Sequence, residues 1–248
     1  MKLTITDTAI LLPISIEFFE KHGFDYYQHG SITLEDACEK KGLDYQKIDA
    51  ELTQWFQLNE NNLGRNLMEF DIEHLIEYIN RTYHYQEHEM LNRLESMIDA
   101  LVREEKKDKR IQYLAVNIER EFRPLKEKLL KHFESEDRVF FPYIEKLLEA
   151  KNVKLNIPSY HISLIKNPIR VLEQEHKTAL KLLEGIKELT HQYEELPNSG
   201  NHYNDLMIEL KRFEGNIHMH LHIENNILFP KLLDIEEIMN QKIQEKYH

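Results

Sequence analysis

HFESEDRVFFP, residues 132–142, and HLHIENNILFP, residues 220–230, decide the reading of this chain. Both are H-x3-E-x4-F-P, with His132, Glu136, Phe141 and Pro142 in the first and His220, Glu224, Phe229 and Pro230 in the second. A spacing of four puts His and Glu on one helix face, one turn apart. That face is otherwise apolar, since Leu125 and Leu129 precede His132 and Phe213 and Ile217 precede His220. Two helices therefore change from apolar to polar within their buried stripes. Phe141 and Phe229 read as core spacers, and the prolines as kinking or ending their helices.

Working outward, four long segments carry apolar residues at spacings of three and four. The first runs from Ile72 to Leu101, the second from Leu114 to Phe140, the third from Ile165 to Ile186 and the fourth from Leu206 to Leu228. The breaks between them are the charged EEKKDKR, then KNVKLNIPSY, then ELPNSGNHY. Short connections predict an all-α, up-down-up-down four-helix bundle. His176 lies between Leu172 and Leu180 on the third segment's stripe, and His84 is in line with Ile76 and Leu91 on the first. In antiparallel neighbours, residues equidistant from the connecting turn lie side by side. The midpoints of His84/His132, His132/His176 and His176/His220 are positions 108, 154 and 198, all within the breaks. The four histidines are thus expected in one layer.

Upstream, Thr6 and Asp7 are read as capping a helix that carries Ile10, Ile14 and Phe18 and stops at His22-Gly23. Thr33 with Asp36 fits a capping box, and Asp44 can cap a third helix through Ile48 and Leu52. The polar stretch beginning QLNENNLG reads as a linker, giving a small helical domain over 1–58 and the bundle over 71–248.

Composition narrows the function. The 248-residue chain has a formal charge of −12, which argues against nucleic-acid binding and polybasic membrane association. The run Ala9–Ile14 is too short for a membrane span and lacks a signal-peptide cleavage site, so a cytoplasmic protein is expected. With Cys38 as its single cysteine, the chain forms no intramolecular disulfide or thiolate metal site. Its fourteen histidines are the excess to explain. Buried carboxylates are costly unless paired, and a dinuclear metal centre would explain them. Glu136 and Glu224 would bridge two cations, with two of His84, His132, His176 and His220 completing each. Ligation by imidazole and carboxylate suits iron or manganese, and zinc less well. Ferritin-like di-iron bundles use E-x-x-H instead.

Other histidines are read plainly. His22, His29, His74, His161, His191, His202 and His248 lack a site context; His88 is a weak candidate for a supporting role, and His218 and His222 are expected at the surface. Glu175, beside His176, is either a group supporting the metal site, such as a proton relay, or a solvated helix charge.

On these residues the chain resembles the hemerythrin-like superfamily and, within it, the iron-sulfur cluster repair di-iron proteins. The resemblance rests on His132/Glu136 and His220/Glu224, on Glu175-His176, on Tyr83-His84 and on IENN at 223–226. It also covers the N-terminal segment, where FDYYQHGSITLEDAC stands in the family's motif region. It implies two iron ions in an oxo- and carboxylate-bridged centre, iron-sulfur proteins as clients, and nitric oxide or dioxygen as diatomic ligands. It implies protection or repair of iron-sulfur clusters after oxidative or nitrosative stress. Nitric oxide reductase-type activity and a homodimer are left open. Where the family usually has adjacent cysteines after Asp-Tyr, this chain has Tyr27-Gln28, and Cys38 is not in that position. Where members often carry a histidine at the end of the first bundle helix, it has Glu105, about 30 Å from His84 along a continuous helix; Glu105 is not counted as a ligand. Two other readings stand beside this one: an oxygen or nitric oxide carrier or sensor without turnover, and a metal-free helical interaction protein with a polar histidine core.

Overall fold

The computed structural model describes residues 4–12, 14–27, 32–58, 67–103, 109–152, 165–196 and 201–247. These form two compact units, Met1–Glu77 with His218–Ile235, and Tyr78–Ile217 with Glu236–His248.

In the first unit, α1 (Ile5–Leu11) and α2 (Ser15–His22) stand where one helix was expected. Pro13 lies between them, and a proline inside a helix lacks the N–H of the i→i−4 ladder. The cap falls earlier than expected: Thr4 accepts from Asp7 N while Asp7 accepts from Thr4 N, a complete capping box. Gly23 ends α2 at φ 63°, in the left-handed region that suits glycine. The Thr33–Asp36 capping box opens α3 (Leu34–Lys41) as expected. Asp44 Oδ1 accepts from Gln46 N and Lys47 N at the start of α4 (Tyr45–Leu58). Phe18, Phe19, Phe24, Tyr26, Cys38 and Leu52 belong to this unit's core, and Trp55 donates to Ile14 O at 2.9 Å. After a 3-10 turn, Leu67–Glu69, comes α5 (Ile72–Ile79). The carbonyls of Met68 and Phe70 accept from Lys231 Nζ at 2.8 and 2.9 Å.

The second unit holds α6 (Tyr85–Arg103), α7 (Lys109–Ser135), α8 (Phe141–Asn152), α9 (Lys166–Leu189) and residues 201–217 of α10 (Asn201–Ile223). The contacts make successive helices antiparallel. His84 meets Asp137, whereas Asn92, further along, meets Lys126. His132 meets His176, whereas a Cβ at Gly185 would stand 3.9 Å from Glu121. Lys187 pairs with Glu214 at 3.2 Å, and Arg93 with Glu209, which closes α10 onto α9 and α6. The result is an up-down-up-down four-helix bundle of entirely helical class. Its core is made of the anticipated stripe residues, among them Leu91, Ile98, Ile118, Phe122, Leu183 and Phe213. The midpoint positions 108, 154 and 198, and Glu105, lie outside the described residues. Before the last connection, His191, Gln192 and Tyr193 all have positive φ, at 50°, 65° and 60°. Left-handed backbone costs roughly 1–2 kcal/mol per non-glycine residue. Here Gln192 N bonds to Lys187 O at 2.8 Å, Tyr193 N to Thr190 Oγ1 at 3.3 Å, and the Tyr193 side chain is buried.

Three turns are π-helical: Asn80–His84, Glu136–Phe140 and Glu224–Leu228. Each closes on an i→i−5 bond, from Tyr85 N to Asn80 O, Phe141 N to Glu136 O, and Phe229 N to Glu224 O. Phe141-Pro142 and Phe229-Pro230 come immediately after the second and third. They do not end the helical path, which runs on as α8 and as α11 (Phe229–Tyr247). A wide turn displaces one helical hydrogen bond, and a residue with no N–H fits where a donor would otherwise be stranded.

Phe122→Ala is expected to destabilise the protein by about 3–5 kcal/mol, read from the urea midpoint. Cys38 is fully buried, and burial raises its thiol pKa, with Asp44 and Asp49 adding to the effect. A thiol-reactive disulfide reagent should therefore label Cys38 only once the protein unfolds; stoichiometric labelling of the native protein would contradict this packing.

Candidate metal centre

In the second unit, the apolar stripe of α7 passes through Leu125 and Leu129 to His132, and Glu136 opens the π-turn one helical turn later. Glu136 is fully buried. Its Oε2 stands 3.2 Å from His132 Nε2 and 3.4 Å from His84 Nε2. From α9, His176 Nε2 lies 3.1 Å from His132 Nε2. Behind this set, His132 Nδ1–H donates to Glu175 Oε2 at 3.0 Å, and His84 Nδ1–H donates to Asp137 Oδ1 at 2.6 Å. The hydrogen bond from His132 holds the Glu175 carboxyl below its usual pKa, against the opposing effect of burial. The His84 ring stacks with Phe133 and Phe141, with centroids at 4.9 and 5.9 Å. Phe141, expected as a spacer, is thus one wall of a histidine slot.

This donor set fits a cation. With its Nδ1–H donated to Glu175, His132 turns Nε2 toward His176 and Glu136 together. A single shared proton would bridge one such pair but not three donors. The ligand atoms of His132, Glu136 and His176 all lie within 4.8 Å of one another. Nitrogen and oxygen ligands sit about 2.0–2.2 Å from a metal such as zinc, so donors at right angles around one ion are about 3 Å apart.

In the first unit, His220 Nε2 and Glu224 Oε1 are 3.0 Å apart and both residues are fully buried. The expectation that His218 and His222 lie at the surface is overturned, since both are buried. Four residues apart, they share the helix face opposite His220, and the N-terminal segment covers that face. His218 stacks on Tyr27 at 3.7 Å and meets Glu20 Oε1 at 3.1 Å. His222 Nδ1 lies 3.2 Å from Tyr26 O, and burial pushes its pKa down to about 4, so the ring is neutral near pH 7. Asn225 and Asn226 both donate to Tyr27 O, at 3.4 and 3.5 Å.

The remaining histidines do not join these groups. His88 is exposed and lies against Phe133, so its suggested supporting role is not seen. His22 packs on Phe18 at 4.4 Å, His74 pairs with Asp71, and His191 and His202 are exposed. His29, His161 and His248 lie outside the described residues. Tyr83, beside His84, is buried too, and burial raises its phenol pKa. Asp137 was missed in the sequence; the available signal was the difference between E-D at 136–137 and E-N at 224–225.

Residues 79–232 match the hemerythrin HHE cation binding domain. The chain belongs to the hemerythrin family, and its histidine–glutamate cluster is a metal-binding site. The iron-sulfur cluster repair protein ScdA of Staphylococcus haemolyticus is 26% identical over 220 residues, 89% of this chain and 93% of that protein. The iron-sulfur cluster repair proteins YtfE of Yersinia pseudotuberculosis and of Pectobacterium carotovorum are each 26% identical, over 91% and 93% of this chain and 94% and 96% of their own lengths.

Glu175→Ala should weaken metal binding about 10–100-fold, measured by competition with a chromophoric chelator; wild-type affinity would show that the Glu175–His132 bond does not support the site.

Proposed function

We propose that this chain is a non-haem di-iron protein that repairs or protects iron-sulfur clusters damaged by oxidative or nitrosative stress. The convergence of His132, His176 and Glu136 on one point carries the metal assignment. The repair role is supported by relatives that match over most of the chain and bear that name. His132 and His176 would hold one iron, His84 and His220 the other, and Glu136 and Glu224 would bridge them. The repeated H-x3-E phrase and the common depth of the four histidines support this six-residue assignment. So does the span of the family match, which takes in all six. The small domain over 1–58 and the bundle over 71–248 are part of the same proposal.

A pair of irons so held would supply a place for nitric oxide or dioxygen to bind and be reduced jointly. The chain's own residues do the rest. Glu175 and Asp137 hold the Nδ1 protons of His132 and His84, leaving each Nε2 a lone-pair donor. Phe133 and Phe141 keep water from the His84 ring. Iron-sulfur proteins are the clients and the cytoplasm the setting. Among the described residues no helix is long and apolar enough to cross a membrane.

Protein purified anaerobically without added metal is expected to contain about two irons per chain, with a non-haem Mössbauer spectrum. It should also reactivate an iron-sulfur enzyme damaged by nitric oxide. The Glu136→Ala/Glu224→Ala variant should lose both the iron and the reactivation. Wild-type iron content in that variant would overturn the ligand assignment; manganese or zinc in its place would overturn the choice of metal. Reversible dioxygen binding without reactivation would favour a carrier.

A further inference from the structure

Glu136 and Asp137 are consecutive residues, yet both reach the same imidazole. Glu136 Oε2 is 3.4 Å from His84 Nε2, and Asp137 Oδ1 is 2.6 Å from His84 Nδ1. In a regular α-helix, neighbouring side chains diverge by about 100°. The π-turn that begins at Glu136 alters the path at this point.

The two walls of the slot leave one degree of freedom undecided. Phe133 and Phe141 face the His84 ring at interplanar angles of 25° and 13°, which sets its plane. Flat aromatic walls do not distinguish a ring from the same ring turned over by 180°, which exchanges Nδ1 with a carbon. They also do not choose which nitrogen carries the proton. A carboxylate only accepts hydrogen bonds, so Asp137 decides both: Nδ1 faces it and bears the proton, and Nε2 turns inward. The second phrase is built differently. There the residue after the glutamate is Asn225, an amide that donates to Tyr27 O.

We propose that Asp137 is a positioning residue that sets the flip and tautomer of His84 as a metal ligand. This rests on the di-iron reading for what His84 binds, but the hydrogen bond itself belongs to the metal-free protein. An uncharged amide in place of the carboxylate makes His84 a weaker donor and lets its ring turn over. One of two ions is then selectively weakened.

Asp137→Asn makes the two phrases alike, and Asp137→Glu keeps the charge. In the metal-free protein, nitrogen-15 NMR of the histidine side chains should place the His84 proton on Nδ1, with its resonance shifted downfield by the carboxylate. That signature should vanish in Asp137→Asn and return in Asp137→Glu. Anaerobic titration with Fe(II) should give two ions bound in the wild type. In Asp137→Asn one of them should bind about 10–100-fold more weakly, with recovery in Asp137→Glu. An unchanged His84 signature in Asp137→Asn, or equal weakening of both ions, overturns the positioning role. A wild type that binds fewer than two ions overturns the di-iron reading instead, while the NMR comparison still decides whether Asp137 orients His84.

Discussion

A carboxylate enclosed by hydrocarbon is the constraint to which the rest of this structure answers. Glu136 stands fully buried among the stripes of a helical bundle, with two imidazole nitrogens within 3.4 Å of one of its oxygens. Taken from water alone, such a charge costs several kcal/mol. The neighbouring histidines do not relieve that cost, because each donates its Nδ1–H outward, to Asp137 and Glu175 near the rim. The Nε2 atoms of His84 and His132 are thereby left to face the Glu136 carboxylate with lone pairs. That is an environment short of positive charge, and a metal cation supplies it.

The histidine-rich phrase of α10 serves two ends at once. His220 faces Glu224, while His218 and His222 face the N-terminal segment and hold it through Glu20, Tyr27 and the Tyr26 carbonyl. A helix with polar but buried residues on opposite faces must find partners on both. Alternating histidines meet that requirement because the neutral ring offers one donor and one acceptor. The low pKa of His222 expresses the same enclosure.

Much of this was legible in the residues. The Thr33–Asp36 box, the role of Asp44 and the four stripes follow from capping chemistry and from the helical period, both of which are local. The shared depth of His132 and His176 followed from antiparallel geometry, and the 3.1 Å between their Nε2 atoms agrees with it. What stayed hidden depends on more than periodicity. Thr4 rather than Thr6 caps the first helix because Asp7 can close the box with only one of them. Asp137 was not singled out because its partner lies fifty-three residues away in the sequence. His218 and His222 looked superficial because the segment covering them is remote in sequence. The π-turns leave apolar spacings intact on either side and shift the phase only at one point.

That phase shift has a consequence for how such a chain tolerates change. A π-turn is a helix with one residue too many, so everything beyond it is rotated by about 100° from where an unbroken helix would put it. In α8, Phe141, Ile144 and Leu148 are buried in that rotated frame. A regular helix of the same length would swing these side chains toward water, whereas removing one residue from 137–140 would close the turn and keep them facing inward. The extra residue is therefore absorbed where it sits: a deletion there changes the contacts of the wide turn itself and leaves the facing of the helix beyond it as it is.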